Sequence, residues 1–286
     1  MSYILNWHVA DKDLDAAVDL LSGLAPWGWE EVAKRGGCDL RVHVEDRKQF
    51  KQLQRRIRRA WPEAKLDADK VKDADWQTAW QFFFQPVEVA DTFCILPPWK
   101  LEEAQDHSLR PLIIHPKMAF GTGHHPTTIL CLQALVHVTE QDLWPAGEKI
   151  LDVGTGSGIL AIAAAHLGCT SVAMDIDPVA MDNARENVWA NKVEDRVILL
   201  CGDVSCIRSG RRYPLVVANI LAGPLIRMAT DLVGCVQEQG TLILSGVLTS
   251  QVDSVRQAYE VLGLGSPQVE HLGEWASLTW LGDGRR

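Results

Sequence analysis

Apolar residues follow two different patterns along the chain, and the change from one to the other divides it. The first 70 residues predict the order strand, helix, two strands, helix, strand. In this part, β-forming runs alternate with segments whose apolar residues recur at helical spacing, as Phe50, Leu53 and Ile57 do. This βαββαβ order is typical of a small ferredoxin-like α+β module. We therefore expect residues 1–70 to form a domain of their own.

A second pattern begins near residue 149, where short apolar runs alternate with helical segments. The predicted strands are residues 150–153, 171–175, 197–200, 215–218 and 241–245, and the main predicted helices are residues 159–167, 178–190 and 251–262. This alternation requires crossover connections, so it predicts a mainly parallel, doubly wound sheet with helices on both faces. Two last β-rich runs, residues 268–271 and 277–281, predict a closing antiparallel pair.

Between the two patterns, residues 71–90 are predicted to be a linker. Residues 91–286 then form the α/β domain, which adds β-rich runs at residues 92–96 and 111–115 and a helix at residues 127–138.

Composition excludes several classes of protein. The chain has 286 residues, of which 47% are hydrophobic and 23% charged, so it can bury a core and is not of the disordered class. No apolar run reaches the ~20 residues of a membrane span, and the amino terminus lacks the pattern of a secretory signal. Seven cysteines without a CxxC pair indicate a reduced, cytoplasmic setting without a structural zinc site.

Charge is distributed unevenly. The net charge is −9, and residues 1–70 hold 13 Lys and Arg against 12 Asp and Glu, so the excess of acid lies in the rest of the chain. An acidic larger domain argues against broad nucleic-acid binding there. The second predicted helix of the first domain carries seven basic residues, Arg47, Lys48, Lys51, Arg55, Arg56, Arg58 and Arg59. They form either a solvated face or a binding surface for RNA or an acidic partner.

Three glycines follow the first strand of the second pattern. Gly154, Gly156 and Gly158 let the chain turn tightly and let a ligand lie against bare backbone. Ile159 stands where a dinucleotide fingerprint would have a glycine. The spacing GxGxG, preceded by Asp152, is instead typical of S-adenosylmethionine enzymes.

Acidic residues end the next two strands. Asp175 lies 21 residues after Gly154, where its carboxylate would accept both ribose hydroxyl protons of a nucleoside. Asp177 stands beside Pro178 and is predicted to cap the following helix. Asp203 either accepts from an adenine amino group or is an ordinary turn residue.

Two further strings, MAFGTGHHPTT at residues 118–128 and VVANILAGP at residues 216–224, are more specific. Together with LDVGTGSGILAIAAAHLG and DIDPVAMDNARENV, they closely resemble the PrmA family, the methyltransferases of the eleventh large-subunit ribosomal protein. The resemblance implies a class I S-adenosylmethionine-dependent methyltransferase with an antiparallel last strand and an amino-terminal recognition domain. It also implies methylation of lysine side chains and of the terminal α-amine of a ribosomal protein, with no nucleic-acid substrate and no membrane.

Matching positions in these strings imply the site residues. Implied cofactor contacts are Thr128, Gly154, Gly156, Asp175 and Asn219. The Asn219 amide would also orient the incoming amine, and Phe120 is our candidate for an aromatic partner over the sulfonium or the lysine stem. His124 and His125 are expected to be loop-capping or structural residues rather than general bases. The expected chemistry is a direct in-line methyl transfer, without metal or covalent enzyme intermediate.

Three alternatives remain open from the sequence. The acceptor would be another protein, such as the β subunit of electron transfer flavoprotein; the chain would bind S-adenosylmethionine as a regulator without catalysis; or it would be a nicotinamide oxidoreductase. Ile159 disfavours the last, and Thr128, Asp175 and Asn219 argue against the second.

Overall fold

The computed structural model describes residues 2–25, 29–34, 36–44, 47–71, 85–101, 109–116, 123–141, 148–208 and 210–282. The chain divides into two compact units, Met1–Phe84 and Gln85–Arg286.

The first unit has the ferredoxin-like order that the sequence predicts. Its elements are β1 (Ser2–Ala10), α1 (Leu14–Leu24), β2 (Glu30–Lys34), β3 (Gly37–Val44), α2 (Arg47–Ala60) and β4 (Lys65–Val71). The strands form one antiparallel sheet in the order β2-β3-β1-β4. Alternate residues of β1 and β3 point into the core because strand side chains have a period of two. Leu5 pairs with Val42 and Trp7 with Leu40, and all four are buried with apolar residues of both helices.

The second unit is built around a seven-stranded sheet. The elements ahead of it are β5 (Val87–Val89), β6 (Phe93–Leu96), β7 (Arg110–Ile113) and α3 (Pro126–Glu140). The sheet and its crossovers comprise β8 (Lys149–Val153), α4 (Ile159–His166), β9 (Thr170–Asp175), α5 (Pro178–Ala190), β10 (Val197–Cys201), β11 (Tyr213–Asn219), α6 (Ala222–Arg227), α7 (Ala229–Cys235), β12 (Val236–Leu248), α8 (Val252–Glu260), β13 (Gln268–Leu272) and β14 (Trp275–Trp280).

The strand order of this sheet is β10-β9-β8-β11-β12-β14-β13. Strands β8 to β12 run parallel, while β14 is antiparallel to both of its neighbours. The prediction of a doubly wound sheet with an antiparallel last strand is therefore confirmed. Apolar clusters cover both faces, and α4 is so apolar that Ile159 and every residue up to Ala165 are buried.

One stretch differs from its predicted role. Residues 87–89 fall inside the predicted linker, yet they form β5, which pairs with β6 in a small three-stranded sheet that also contains β7. Val89 is buried in the core of the second unit, so an apolar side chain holds this segment to the domain. The tryptophans of the predicted linker, Trp76 and Trp80, lie outside the described residues.

Parallel strands place their carboxyl ends at one edge of the sheet, and polar or glycine residues follow there. Gly154 follows β8, Asp175 ends β9, Gly202 follows β10 and Asn219 ends β11. Open α/β sheets bind ligands at this edge. Among the described residues, no helix has the length and apolar character that crossing a membrane requires.

Candidate active site

A cavity of about 670 Å³ opens at the carboxyl ends of the parallel strands. The five residues implied as cofactor contacts all line it, namely Thr128, Gly154, Gly156, Asp175 and Asn219. The fold thus brings together residues that lie up to 91 positions apart in the chain. Phe120, the aromatic candidate, lies outside the described residues.

The glycine turn fits closely against the neighbouring strand connection. Gly154, Gly156 and Gly158 have φ angles of 75°, 54° and 83°, a region that favours glycine. A Cβ atom on Gly154 would lie only 2.4 Å from the Ile220 Cγ2 atom. The Gly154 and Thr155 N–H groups donate to the Met174 carbonyl, which fixes the turn to β9.

Asp175 joins this turn to the next strand. One carboxylate oxygen accepts the Gly156 N–H at 2.9 Å, and the other accepts the Asp177 N–H at 3.0 Å. Each oxygen keeps a second lone pair for a ligand. The predicted helix cap is also confirmed, because the Asp177 carboxylate accepts the Val179 N–H at 2.9 Å.

Asn219 lies at the opposite side of the turn and contacts α3. Its Nδ2 donates to the Thr128 Oγ1 at 3.4 Å, which orients the amide. Its Oδ1 is buried and has no hydrogen-bond partner among the residues that the structure describes. A buried acceptor without a partner costs free energy, so this oxygen favours a ligand that brings an N–H or O–H donor.

A second carboxylate lies beneath the turn. Asp152 is fully buried, and the Thr155 hydroxyl donates to its Oδ2 at 2.5 Å. Burial raises the Asp152 pKa to about 7, and the nearby Asp175 charge adds to the rise. Asp152 therefore stabilises the turn through Thr155 and is not among the described residues that line the cavity.

The two histidines before α3 have structural roles, as predicted. His125 caps α3, since its Nδ1 accepts the Thr127 N–H. Burial lowers the His125 pKa, which favours the neutral ring that accepts this bond. His124 contacts the Gln85 carbonyl oxygen through its Nε2 at 3.0 Å.

Trp275 is an aromatic residue of the cavity that the sequence did not indicate as such. It begins β14, lines the cavity and packs edge-on against His125, with ring centroids 4.7 Å apart. His125 precedes Thr128 by three positions, so Trp275 lies at the Asn219 end of the cavity. Its pairing with Leu248 of β12 carries it there.

Exposed apolar residues form part of the rim. Ile176 and Leu221 line the cavity although 74% and 67% of their surfaces are exposed. Asp203 also lines it, and its carboxylate accepts both the N–H and the hydroxyl of Ser205. These bonds lower the Asp203 pKa and give it the predicted turn-capping role, while its contact with an adenine amino group stays a prediction.

The residues that line the cavity fit the parts of S-adenosylmethionine. The bare glycine turn, the Asp175 carboxylate and the exposed apolar rim suit a charged amino-acid part, a ribose and a flat base, respectively. Within the described ranges, no cluster of three His, Cys, Asp or Glu side chains is placed to hold a metal ion.

Comparisons with known proteins agree with this geometry. Residues 30–281 match the family "Ribosomal protein L11 methyltransferase (PrmA)". A ribosomal protein L11 methyltransferase of Bacillus cereus is 38% identical over 216 residues, covering 74% of this chain and 67% of the relative. That of Shouchella clausii is 37% identical over 218 residues, covering 74% and 66%.

Among solved structures, a ribosomal protein L11 methylase from Lactobacillus delbrueckii subsp. bulgaricus is similar, with a TM-score of 0.61 and 28% identity. The match covers 68% of this chain and 97% of that chain. The alignments to the two relatives above span about two thirds of their lengths. The chain belongs to the ribosomal protein L11 methyltransferase (PrmA) family of S-adenosylmethionine-dependent methyltransferases.

Proposed function

We propose that this protein transfers methyl groups from S-adenosylmethionine to amino groups of ribosomal protein L11, on lysine side chains, the N-terminal α-amine or both. The names of its relatives support the acceptor. The observation that carries the chemistry is Asn219, whose amide lines the cavity and whose Oδ1 accepts no hydrogen bond from any described residue.

The cofactor would be held by residues already oriented before it binds. The Asp175 carboxylate would accept the ribose hydroxyls, and the backbone at Gly154 and Gly156 would face the methionine part. Thr128 and Asn219 would contact the cofactor from the other side. When bound, S-adenosylmethionine supplies an electrophilic methyl group on a sulfonium.

Asn219 would orient the acceptor amine. An amine N–H donated to the Asn219 Oδ1 would give that oxygen a hydrogen-bond partner. It would also fix the direction of the nitrogen lone pair, which must point at the methyl group for attack. Because Thr128 holds the amide nitrogen, the oxygen cannot easily turn away. The residue therefore contributes alignment rather than proton transfer.

The amine must be neutral to attack, and its surroundings favour that form. The reference pKa of lysine is ~10.4, and desolvation lowers it. A cavity lined by Ile220, Leu221 and Trp275 would disfavour the ammonium form. The proton can leave to water before the amine is enclosed, so no general base is required, and neither His124 nor His125 is assigned this role.

The test uses purified L11 and the purified β subunit of electron transfer flavoprotein with methyl-labelled S-adenosylmethionine. We expect label in L11, and mass spectrometry of the product would identify which amines carry it. Label in the flavoprotein subunit alone would overturn the proposed acceptor. Binding of S-adenosylmethionine without transfer to any protein would support the regulator instead.

Asn219→Ala tests the role of the amide in the same assay. Loss of one aligned group is expected to reduce kcat/KM by about 10- to 100-fold. Asn183→Ala is the matched control, because Asn183 is a buried asparagine of the same unit that lies on α5, outside the described cavity lining. Equal activity of the Asn219 variant and the wild type would overturn the assignment.

A further inference from the structure

The outer side of α2 carries a dense positive charge that the methyl-transfer site does not use. We define the basic face as Arg47, Lys48, Lys51, Arg55, Arg56, Arg58 and Arg59, all of them exposed. The buried residues Phe50, Leu53 and Ile57 attach the opposite side of the helix to the core of the first unit. The basic face thus points to solvent over about 18 Å of helix.

Nothing in the helix compensates this charge. The segment contains no acidic residue, and apart from Lys48 no member of the basic face forms an ion pair in the described part of the chain. Arg47, Lys51, Arg55 and Arg59 follow each other at intervals of four residues, a spacing at which like charges repel. The helix dipole favours Arg58 and Arg59 in the last turn but disfavours Arg47 and Lys48 in the first turn. Stability of the helix therefore does not explain the pattern.

The contrast with the rest of the molecule is large. The chain has 28 Lys and Arg against 37 Asp and Glu, so without the seven cations of the basic face it would have 21 against 37. If this face served only solubility, we would expect it to carry the same negative net charge as the rest of the chain. A concentrated cationic face on an acidic protein indicates a polyanionic partner.

We propose that the basic face binds the phosphate backbone of RNA. Five of its seven members are arginines, whose planar guanidinium groups pair with phosphate in bidentate fashion. A ridge of cations of this length matches a continuous row of phosphates better than the scattered carboxylates of an acidic protein. The choice of RNA rests on the proposed function, because a ribosomal protein acceptor occurs together with RNA.

The binding is expected to be independent of RNA sequence. Apart from its cations, the exposed side of α2 offers Gln52 and Ala60 and no aromatic residue on which bases would stack. Affinity should therefore follow counterion release and fall steeply with salt, by about 100-fold between 50 and 200 mM for four phosphate contacts.

The test measures binding of a fluorescent 20-base-pair RNA duplex to the full chain by anisotropy at several salt concentrations. The variant R47Q/K51Q/R55Q/R59Q removes one ridge of the basic face, and glutamine retains a similar helix propensity. The control K12Q/K65Q/R208Q/R212Q removes the same charge from four exposed positions elsewhere. Circular dichroism and thermal unfolding check that both variants are folded.

We expect the ridge variant to reduce the slope of log affinity against log salt by about three to four and the control to change it by less than about one. Absence of RNA binding by the wild type, or equal losses in the two variants, would overturn the proposal. Displacement of the RNA by polyglutamate at equal charge concentration would assign the face to an acidic protein and would also overturn it. The assay contains no cofactor and no ribosomal protein, so its failure is distinct from failure of methyl transfer.

Discussion

Asp175 supports the backbone of the cavity and offers acceptors to a ligand at the same time. Its two oxygens accept the N–H groups of Gly156 and Asp177, so the carboxylate is oriented before any ligand binds. Orientation in advance lowers the entropic cost of binding. The same carboxylate therefore connects the geometry of the turn to the affinity for a ribose.

Asp175→Ala is expected to weaken S-adenosylmethionine binding by about 1–3 kcal/mol, because charge-assisted hydrogen bonds are lost. Isothermal titration calorimetry measures the change. Asp177→Ala is the matched control, since that carboxylate caps α5 and lies outside the described cavity lining. An unchanged affinity in the Asp175 variant, or the same loss in both, would contradict the ribose assignment.

Asp152 links the glycine turn to the pH dependence of stability. Burial raises its pKa from 3.8 to about 7 in the folded chain, so between these values the folded state binds more protons than the unfolded state. Stability therefore falls as the pH rises through this window. The loss of stability begins above the Asp152 pKa of the unfolded state and is complete above that of the folded state.

Asp152→Asn removes this titration while keeping an acceptor for the Thr155 hydroxyl. Between pH 5.5 and pH 8, the free energy of unfolding of the wild type should fall by about 2 kcal/mol more than that of the variant. Urea unfolding at the two pH values measures the difference. Parallel changes in both proteins would show that Asp152 does not titrate in this range.

Residues of the site could be predicted from sequence where a local rule applies. The glycine spacing and the strand-ending Asp175 carry such a rule, and Asn219 was implied by a family string. Trp275 has no local signature, because it reaches the cavity only through the antiparallel pairing of β14 with β12. The sequence did not indicate the apolar rim residues Ile176 and Leu221 either. Their exposure is set by how the strands end around the cavity.

At the scale of elements, side chains of α5 form hydrogen bonds to the glycine turn, to the end of β7 and to the segment after it. The Asn187 Nδ2 donates to the Ser157 carbonyl at 2.8 Å, and its Oδ1 accepts the His115 N–H at 2.9 Å. One turn further on, Asn191 exchanges two hydrogen bonds with the backbone of Ile113. A helix cannot pair with a strand through a backbone ladder. These buried amide side chains therefore supply the hydrogen bonds that join the helix to the end of β7 and the segment after it.

Asn187→Ala should lower the free energy of unfolding by about 2–4 kcal/mol, because the buried Ser157 carbonyl and the part-buried His115 N–H each lose a hydrogen bond. Chemical denaturation followed by circular dichroism measures this loss. Asn183→Ala is a control on the same helix, because the Asn183 amide is also buried but has no hydrogen-bond partner in the described part of the chain. The control should lose much less, and similar losses in both would show that side-chain packing, not hydrogen bonding, dominates.

Periodicity predicted the bounds of elements whose burial is regular. It failed where the length of a strand depends on pairing with another strand. Helix α5 has the predicted bounds, because Asp177 and Pro178 mark its start in the sequence. Strand β12 extends from Val236 to Leu248, well beyond residues 241–245, and its pairing with β14 contains a register shift. Charged and polar residues 237–239 hide its start, since they are exposed on an otherwise buried strand.

At the scale of the molecule, each unit has its own core. The apolar cluster of the first unit contains residues up to 66, whereas those of the second unit begin at residue 87. The change in hydrophobic pattern predicted more than one domain because periodicity reflects which surface each element buries, but the predicted bounds, 1–70 and 91–286, differ from the units Met1–Phe84 and Gln85–Arg286. The strand order of the larger sheet could not be read from periodicity, since a pattern of buried strands does not say which are neighbours.

Removal of residues 1–70 tests the division of labour between the units. The truncated protein should keep its S-adenosylmethionine affinity within about twofold, because every described residue of the cavity lies beyond residue 124 and the larger core is complete without the first unit. Methylation of L11 should be abolished, because the first unit is proposed to recognise the acceptor. Calorimetry measures the first quantity and transfer of labelled methyl groups the second. Full methylation by the truncated protein would remove the recognition role, whereas loss of both properties with a folded circular dichroism spectrum would place part of the cofactor site in the first unit.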